Sequence, residues 1–226
     1  MILAAPWEPV AAFAAIPGLK HGFLLRVPGV RVGELEKREA LALLQPHQEA
    51  ALTEIGVGSW PRAEAEQVHG AEIVEVTVEE LQKRQASYAG VDGFLTREAG
   101  VSLVIYVADC AAVYLVDPIT RSIGLLHSGK KGTELRITER AIENMMQRFG
   151  TEPSALQVAI SPCIRPPDYE VDFASDIRAQ AYRCGIPESQ VHDSGVSTAS
   201  DLERFYSYRL ERGKTGRLLA VLGWSA

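Results

Sequence analysis

Hydrophobic and polar positions change period several times along the chain, and each period predicts an element. Residues 34–56 (ELEKREALALLQPHQEAALTEIG) are rich in helix formers but divided by Pro46, which predicts two short helices or one helix and a connector. Ala71 to Val78 alternates and is β-branched, as a half-buried strand beginning just past His69-Gly70 would be. Val101 to Val107 is nearly all apolar, the pattern of a central strand covered on both faces. Ala112–Val116 and Ser122–Leu126 flank the turn-like Asp117-Pro118-Ile119-Thr120 and predict a hairpin. A helix is expected from Thr133, its candidate cap, to Phe149. Its apolar stripe is Leu135, Ala141, Ile142, Met145 and Met146, and Gly150 ends it. Leu156–Ile160 reads as a strand, Ser175–Cys184 as a helix stopped by Gly185 and Pro187, and Gly216–Trp224 as a final strand. There is no internal repeat and no regular βαβα rhythm. The expectation is a single domain over residues 1–226, of α/β (α+β) class, with a mixed, largely antiparallel sheet flanked by helices.

Composition narrows the function classes. With 226 residues, 46% of them hydrophobic, the chain is long enough for a sizeable core. A net charge of −6 argues against a nucleic-acid partner held by phosphate contacts. No apolar window is long enough for a membrane span. The apolar stretch Met1–Gly18 lacks a basic start and is interrupted by Trp7-Glu8-Pro9, so it reads as a first structural segment of a cytoplasmic protein. Three cysteines in a chain of this length do not make a disulfide framework. Each is core filler, metal ligand or nucleophile; Cys163 and Cys184 are assigned to structure.

Of the five histidines, His69 and His127 stand at strand–turn junctions beside small residues, in Gln67-Val68-His69-Gly70 and Leu126-His127-Ser128-Gly129. Cys110 stands likewise in Ala108-Asp109-Cys110, where the apolar strand ends. Their separations (69 to 110, 110 to 127) are too long for a zinc finger. If the strand ends converge, two imidazoles and a thiolate form a three-ligand metal set with its fourth position open, the catalytic arrangement for zinc. The same residues also permit Cys110 as a nucleophile with His127 as its base, and each has a plain structural reading as core or turn residue. Asp92 and Asp109 are candidate carboxylates behind a ligand histidine. His127-Ser128-Gly129-Lys130-Lys131-Gly132-Thr133 outlines an anion site ahead of a helix, without P-loop spacing. Arg209 and Arg217 have the forked guanidinium that holds an anion bidentately.

Seven short segments occur in one order: His21-Gly22-Phe23 with Arg26; Gln67-Val68-His69-Gly70; Val91-Asp92-Gly93-Phe94-Leu95-Thr96; Ala108-Asp109-Cys110; His127-Ser128-Gly129; Ser161-Pro162-Cys163-Ile164 with Tyr169-Glu170-Val171; and Phe205-Tyr206-Ser207-Tyr208-Arg209 with Thr215-Gly216-Arg217. In this the chain resembles the YfiH-like family, described both as multicopper polyphenol oxidase or laccase-domain proteins and as purine nucleoside phosphorylases. The resemblance implies metal ligands at His69, Cys110 and His127, with zinc as the metal and copper as the alternative. It implies phosphorolysis of adenosine, inosine and methylthioadenosine, with adenosine deamination at the same site. Some members are described instead as peptidoglycan editing factors. On this reading the partners are a small purine nucleoside and phosphate, with no nucleic acid and no membrane. Cys110, Asp109 and His127 are the expected catalytic residues, and Arg26, Gln67, Asp92, Lys131 and Arg217 the expected substrate-binding residues. The family's His-Ala-Gly-Trp-Arg-Gly is replaced by His127-Ser128-Gly129-Lys130-Lys131-Gly132, which removes a stacking ring and a guanidinium fork. A second departure, Arg165-Pro166-Pro167-Asp168, supplies an arginine that could compensate. A true laccase's copper set needs far more than five histidines.

Overall fold

A computed structural model describes residues 2–83 and 87–226. In chain order it contains β1 (Trp7–Glu8), β2 (Leu19–Leu24), α1 (Lys37–Ile55), β3 (Arg62–Glu64), β4 (Ile73–Glu75), α2 (Val78–Lys83), β5 (Gly93–Thr96), β6 (Ser102–Val107), β7 (Ala111–Asp117), β8 (Ser122–Ser128), α3 (Lys130–Glu134), α4 (Ile137–Phe149), β9 (Gln157–Ile160), α5 (Phe173–Arg183), β10 (Val191–Asp193) and β11 (Leu218–Trp224). The strands divide between two sheets, of order β1-β2-β11-β6-β3 and β10-β9-β7-β8-β5-β4. Both are mixed. Antiparallel pairs fill the middle, and parallel pairs stand at the edges: β3 on β6, β4 on β5 and β10 on β9. The expected α/β class with helices flanking mixed strands therefore holds, with two sheets in place of one. Met1, in the expected first segment, lies outside the described residues; Trp7-Glu8 of that segment pairs with β2.

The sheets pack face to face. Phe94, Ala112, Tyr114, Val116 and Leu125 of the second sheet share one apolar cluster with β2, β6 and β11. The alternate residues Leu95, Ala111, Val113, Leu115 and Leu126 join a second cluster with α4 and α5. Period-two alternation thus feeds two cores at once, which is why every residue of β7 and β8 is buried. Asp117 closes the predicted hairpin by accepting from the Ile119 and Thr120 amides.

Three local expectations are corrected. First, α1 runs unbroken through Pro46. Its two ends are closed by a Glu36/Glu39 capping box and by Gly56 at φ 91°, and Ala40, Leu44, Ala51, Leu52 and Ile55 form one buried stripe. Burial of three large side chains at about 1.5–3 kcal/mol each outweighs a proline penalty of about 3 kcal/mol. Second, the strand expected over 71–78 is limited to Ile73–Glu75, because Thr77 and Glu80 form a reciprocal capping box that starts α2. Third, the helix expected from Thr133 is two helices, α3 and α4, broken at Arg136 (φ 60°). The buried Gln180 of α5 stabilises the break, donating to the Thr133 carbonyl (2.8 Å) and accepting from the Glu139 amide (3.3 Å). Thr133 is no cap; its hydroxyl meets that of Ser128. Among the described residues no helix is long and apolar enough to cross a membrane.

Candidate metal centre

The chain crosses from the first sheet to the second at Ala108-Asp109-Cys110, between β6 and β7. This crossing lies beside the C-terminal end of β8 and the loop preceding β4. His69, Cys110 and His127 meet there, with ligand atoms all within 4.8 Å of one another. The imidazole centroids of His69 and His127 are 4.8 Å apart. His69 is exposed, Cys110 half-buried and His127 buried, so the set is anchored in the core and open on one side. Gly129 allows this approach: a Cβ at that position would stand 2.5 Å from the Cys110 sulfur.

Asp92 holds the site from beneath. Its carboxylate is fully buried and accepts from the backbone amides of His69 (2.9 Å), Gly70 (2.7 Å) and Val68 (3.2 Å). It also lies 2.8 Å from His127 Nδ1. That contact leaves Nε2 of His127 as the ring nitrogen facing the Cys110 sulfur. The amide cradle holds Gln67 and His69 in left-handed backbone (φ 62° and 61°), a conformation that costs a non-glycine residue energy. Burial penalises the Asp92 charge, yet His127 and the amides of Gly70 and His69 outweigh it and hold its pKa below the ordinary carboxylate range. Burial likewise opposes ionisation of Cys110, but His127 and His69 together bring the thiol down to about 6. Burial opposes charge on His127, while the Cys110 thiolate and Asp92 raise it to about 9. A thiolate and two imidazoles fixed by a buried carboxylate fit a borderline-soft divalent metal.

The set stands in the wall of a cavity of about 600 Å³. Lys130, Lys131 and Arg217 line it. Burial pulls Arg217 below the usual guanidinium range, partly offset by Cys110, Tyr208 and Asp109. Gln67 lines the cavity too, but its amide is spent on the backbone of Tyr106, donating to the carbonyl (2.5 Å) and accepting from the N–H (2.9 Å). Asp92 lies beneath His69 and His127 and not in the cavity lining. Asp109 is in the lining, but both its oxygens are taken, by the Thr198 hydroxyl and the Arg209 amide, each at 2.7 Å. It ties three loops together instead of presenting a free carboxylate.

Two expected residues are elsewhere. Arg26 pairs with Glu211 at 2.6 Å and lies over the Tyr206 ring, holding the C-terminal segment down. Arg165 does not compensate for the lost arginine, because it forks onto Asp193. The sequence assigns no site role to Lys37, Arg212 or the rings of Tyr106, Tyr169, Phe173 and Tyr208, all of which line the cavity. An aromatic at 169, 173 and 208 was the available signal, but nothing local shows that three distant segments share one wall.

A family model described as multi-copper polyphenol oxidoreductase laccase matches residues 40–176 and 171–225. The chain belongs to this laccase family. Its relatives include "Purine nucleoside phosphorylase YlmD" of Geobacillus stearothermophilus, 34% identical over 70% of each chain. Another is "Purine nucleoside phosphorylase" of Deinococcus radiodurans, 31% identical over 98% of this chain and 95% of that one. The crystal structure of YlmD from Geobacillus stearothermophilus superposes with a TM-score of 0.81 at 26% identity, covering 100% of this chain and 99% of the other. The Bacillus licheniformis hypothetical protein YfiH shares the fold, with a TM-score of 0.80 at 21% identity over 97% of this chain and 99% of that one. The resemblance seen in the seven segments is therefore a true family relationship. The laccase-like family's descriptions name a metal, and the cluster His69–Cys110–His127 is where this member could hold one.

Proposed function

We propose that this chain, as a single domain over residues 1–226, is a zinc-dependent purine nucleoside phosphorylase. It acts on adenosine, inosine and methylthioadenosine and deaminates adenosine at the same site. The observation that carries this reading is the convergence of a two-imidazole, one-thiolate set on a cavity lined by lysines, an arginine and aromatic rings. The names of the relatives support it. Zinc, when bound by His69, Cys110 and His127, supplies Lewis acidity and activates water for deamination near neutral pH.

The remaining roles fall to the chain itself. Lys130, Lys131 and Arg217 hold inorganic phosphate and neutralise its charge as its oxygen approaches C1′ of the ribose. The glycosidic bond breaks and the purine leaves with a proton. The rings of Tyr169, Phe173 and Tyr208 provide apolar faces for the base. Asp92 fixes His127, while Gln67 and Asp109 position Tyr106 and the Arg209 loop. Zinc suits this ligand set better than a multi-copper assembly, since His69–Cys110–His127 is the one cluster of three such ligands among the described residues. The three free cysteines support a reducing, cytoplasmic location.

The test is metal content together with turnover of inosine and adenosine, with and without phosphate. One equivalent of zinc and phosphate-dependent release of free base are expected. Bound metal with no purine release from any of the three nucleosides would overturn the phosphorylase reading.

A further inference from the structure

The cavity holds more positive charge than one inorganic phosphate requires. Lys130 and Lys131 occupy the first turn of α3, and Lys37 is the first residue of α1. A cation there opposes the helix dipole, so none of the three is placed to stabilise its own helix. Among the described residues, Lys37, Lys130, Lys131 and Arg212 have no carboxylate partner. Yet all four line one cavity, and Asp109, the only acidic residue of its lining among the described residues, is already engaged by Thr198 and Arg209. The cations come from separate segments of the chain. Lys130 and Lys131 belong to α3, directly after the His127 strand. Lys37 and Arg212 belong to the start of α1 and the 207–217 segment, which meet where Gly33 approaches the Lys214 carbonyl. Phosphate carries about two charges near neutrality, which the three cations Lys130, Lys131 and Arg217 already exceed.

We infer that Lys37 and Arg212 form a second anion subsite, for the 5′-phosphate of a purine nucleoside monophosphate. The inference rests on the phosphorylase reading and names its substrate class. An oxygen of inorganic phosphate bonds to C1′, the N-glycosidic bond breaks, and its electron pair leaves with the purine, which takes up a proton. The other product is ribose 1,5-bisphosphate. A 5′-hydroxyl leaves the second subsite unfilled, and a 5′-methylthio group places an apolar substituent against it.

The experiment compares inosine 5′-monophosphate with inosine in the metal-loaded protein, by kcat/KM at fixed phosphate and by calorimetric binding without phosphate. The nucleotide is expected to be preferred by about tenfold, as two charge pairs at a partly exposed site would give. In a Lys37→Ala/Arg212→Ala variant the preference should vanish with inosine turnover unchanged. Equal treatment of the two substrates by the wild type overturns the inference. So does a preference that survives in that variant and is lost in Lys130→Ala/Lys131→Ala, which would place the nucleotide's phosphate in the inner subsite. Cleavage of inosine alone overturns this inference and leaves the phosphorylase reading intact; cleavage of neither overturns both.

Discussion

Replacing Asp92 by asparagine removes one acceptor oxygen and one charge without changing the side chain's size. In the native site Oδ1 serves the His69 amide and His127 Nδ1, while Oδ2 serves the Gly70 and Val68 amides. An asparagine keeps a single oxygen, so whichever way it turns, an NH₂ group faces two donors in a site without solvent. Losing two charge-assisted bonds and leaving the donors buried costs about 3–5 kcal/mol. The same change releases the left-handed backbone at His69 and frees the His127 ring, so metal affinity should fall about 10–100-fold. The assay is urea unfolding of the metal-free protein, with a lower midpoint at unchanged m-value, together with competitive zinc titration. The pH dependence has a definite sign. Because folding lowers the pKa of Asp92, its contribution is present above the unfolded value near 4 and is lost as pH falls below it. Native protein should therefore lose stability in that acid window more steeply than the variant. A loss under about 1 kcal/mol with zinc affinity within about twofold would refute the assignment of Asp92 as the organiser of the site.

Three further outcomes are expected. Gly129→Ala, at φ −97° and ψ −170°, suffers no backbone strain, but its Cβ meets the Cys110 sulfur; it should cost about 1–3 kcal/mol and weaken metal binding, read by thermal melting and metal content. In metal-free protein the thiolate absorbance of Cys110 should titrate with a midpoint near 6. His127→Gln should move that midpoint upward, because burial is then opposed by one imidazole instead of two. Lys130→Ala/Lys131→Ala should raise the KM for phosphate by about tenfold while sparing adenosine deamination, read by steady-state kinetics at varied phosphate.

Local pattern carried most of the elements, because period and turn chemistry are short-range properties. The β7–β8 hairpin, the buried β6, the Gly150 stop and the final strand are all readable from spacing alone. His69, Cys110 and His127 were candidates from their places at expected strand–turn junctions, and the seven ordered segments tied the chain to one family. What tertiary structure decided is everything that depends on partners distant in the chain. The strands divide into two sheets because β7 and β8 bury both of their faces, a fact that no run of apolar residues assigns to particular neighbours. Pro46 is absorbed by a helix anchored along its whole buried stripe. The break between α3 and α4 depends on Gln180, more than forty residues onward, and it is this break that leaves Lys130 and Lys131 on a helix start at the cavity. Arg26 and Arg165 were drawn away by Glu211 and Asp193, while Lys37 and Arg212 were brought in. A cation's sequence position states its charge; only the folded chain determines whether a carboxylate or an open cavity faces it.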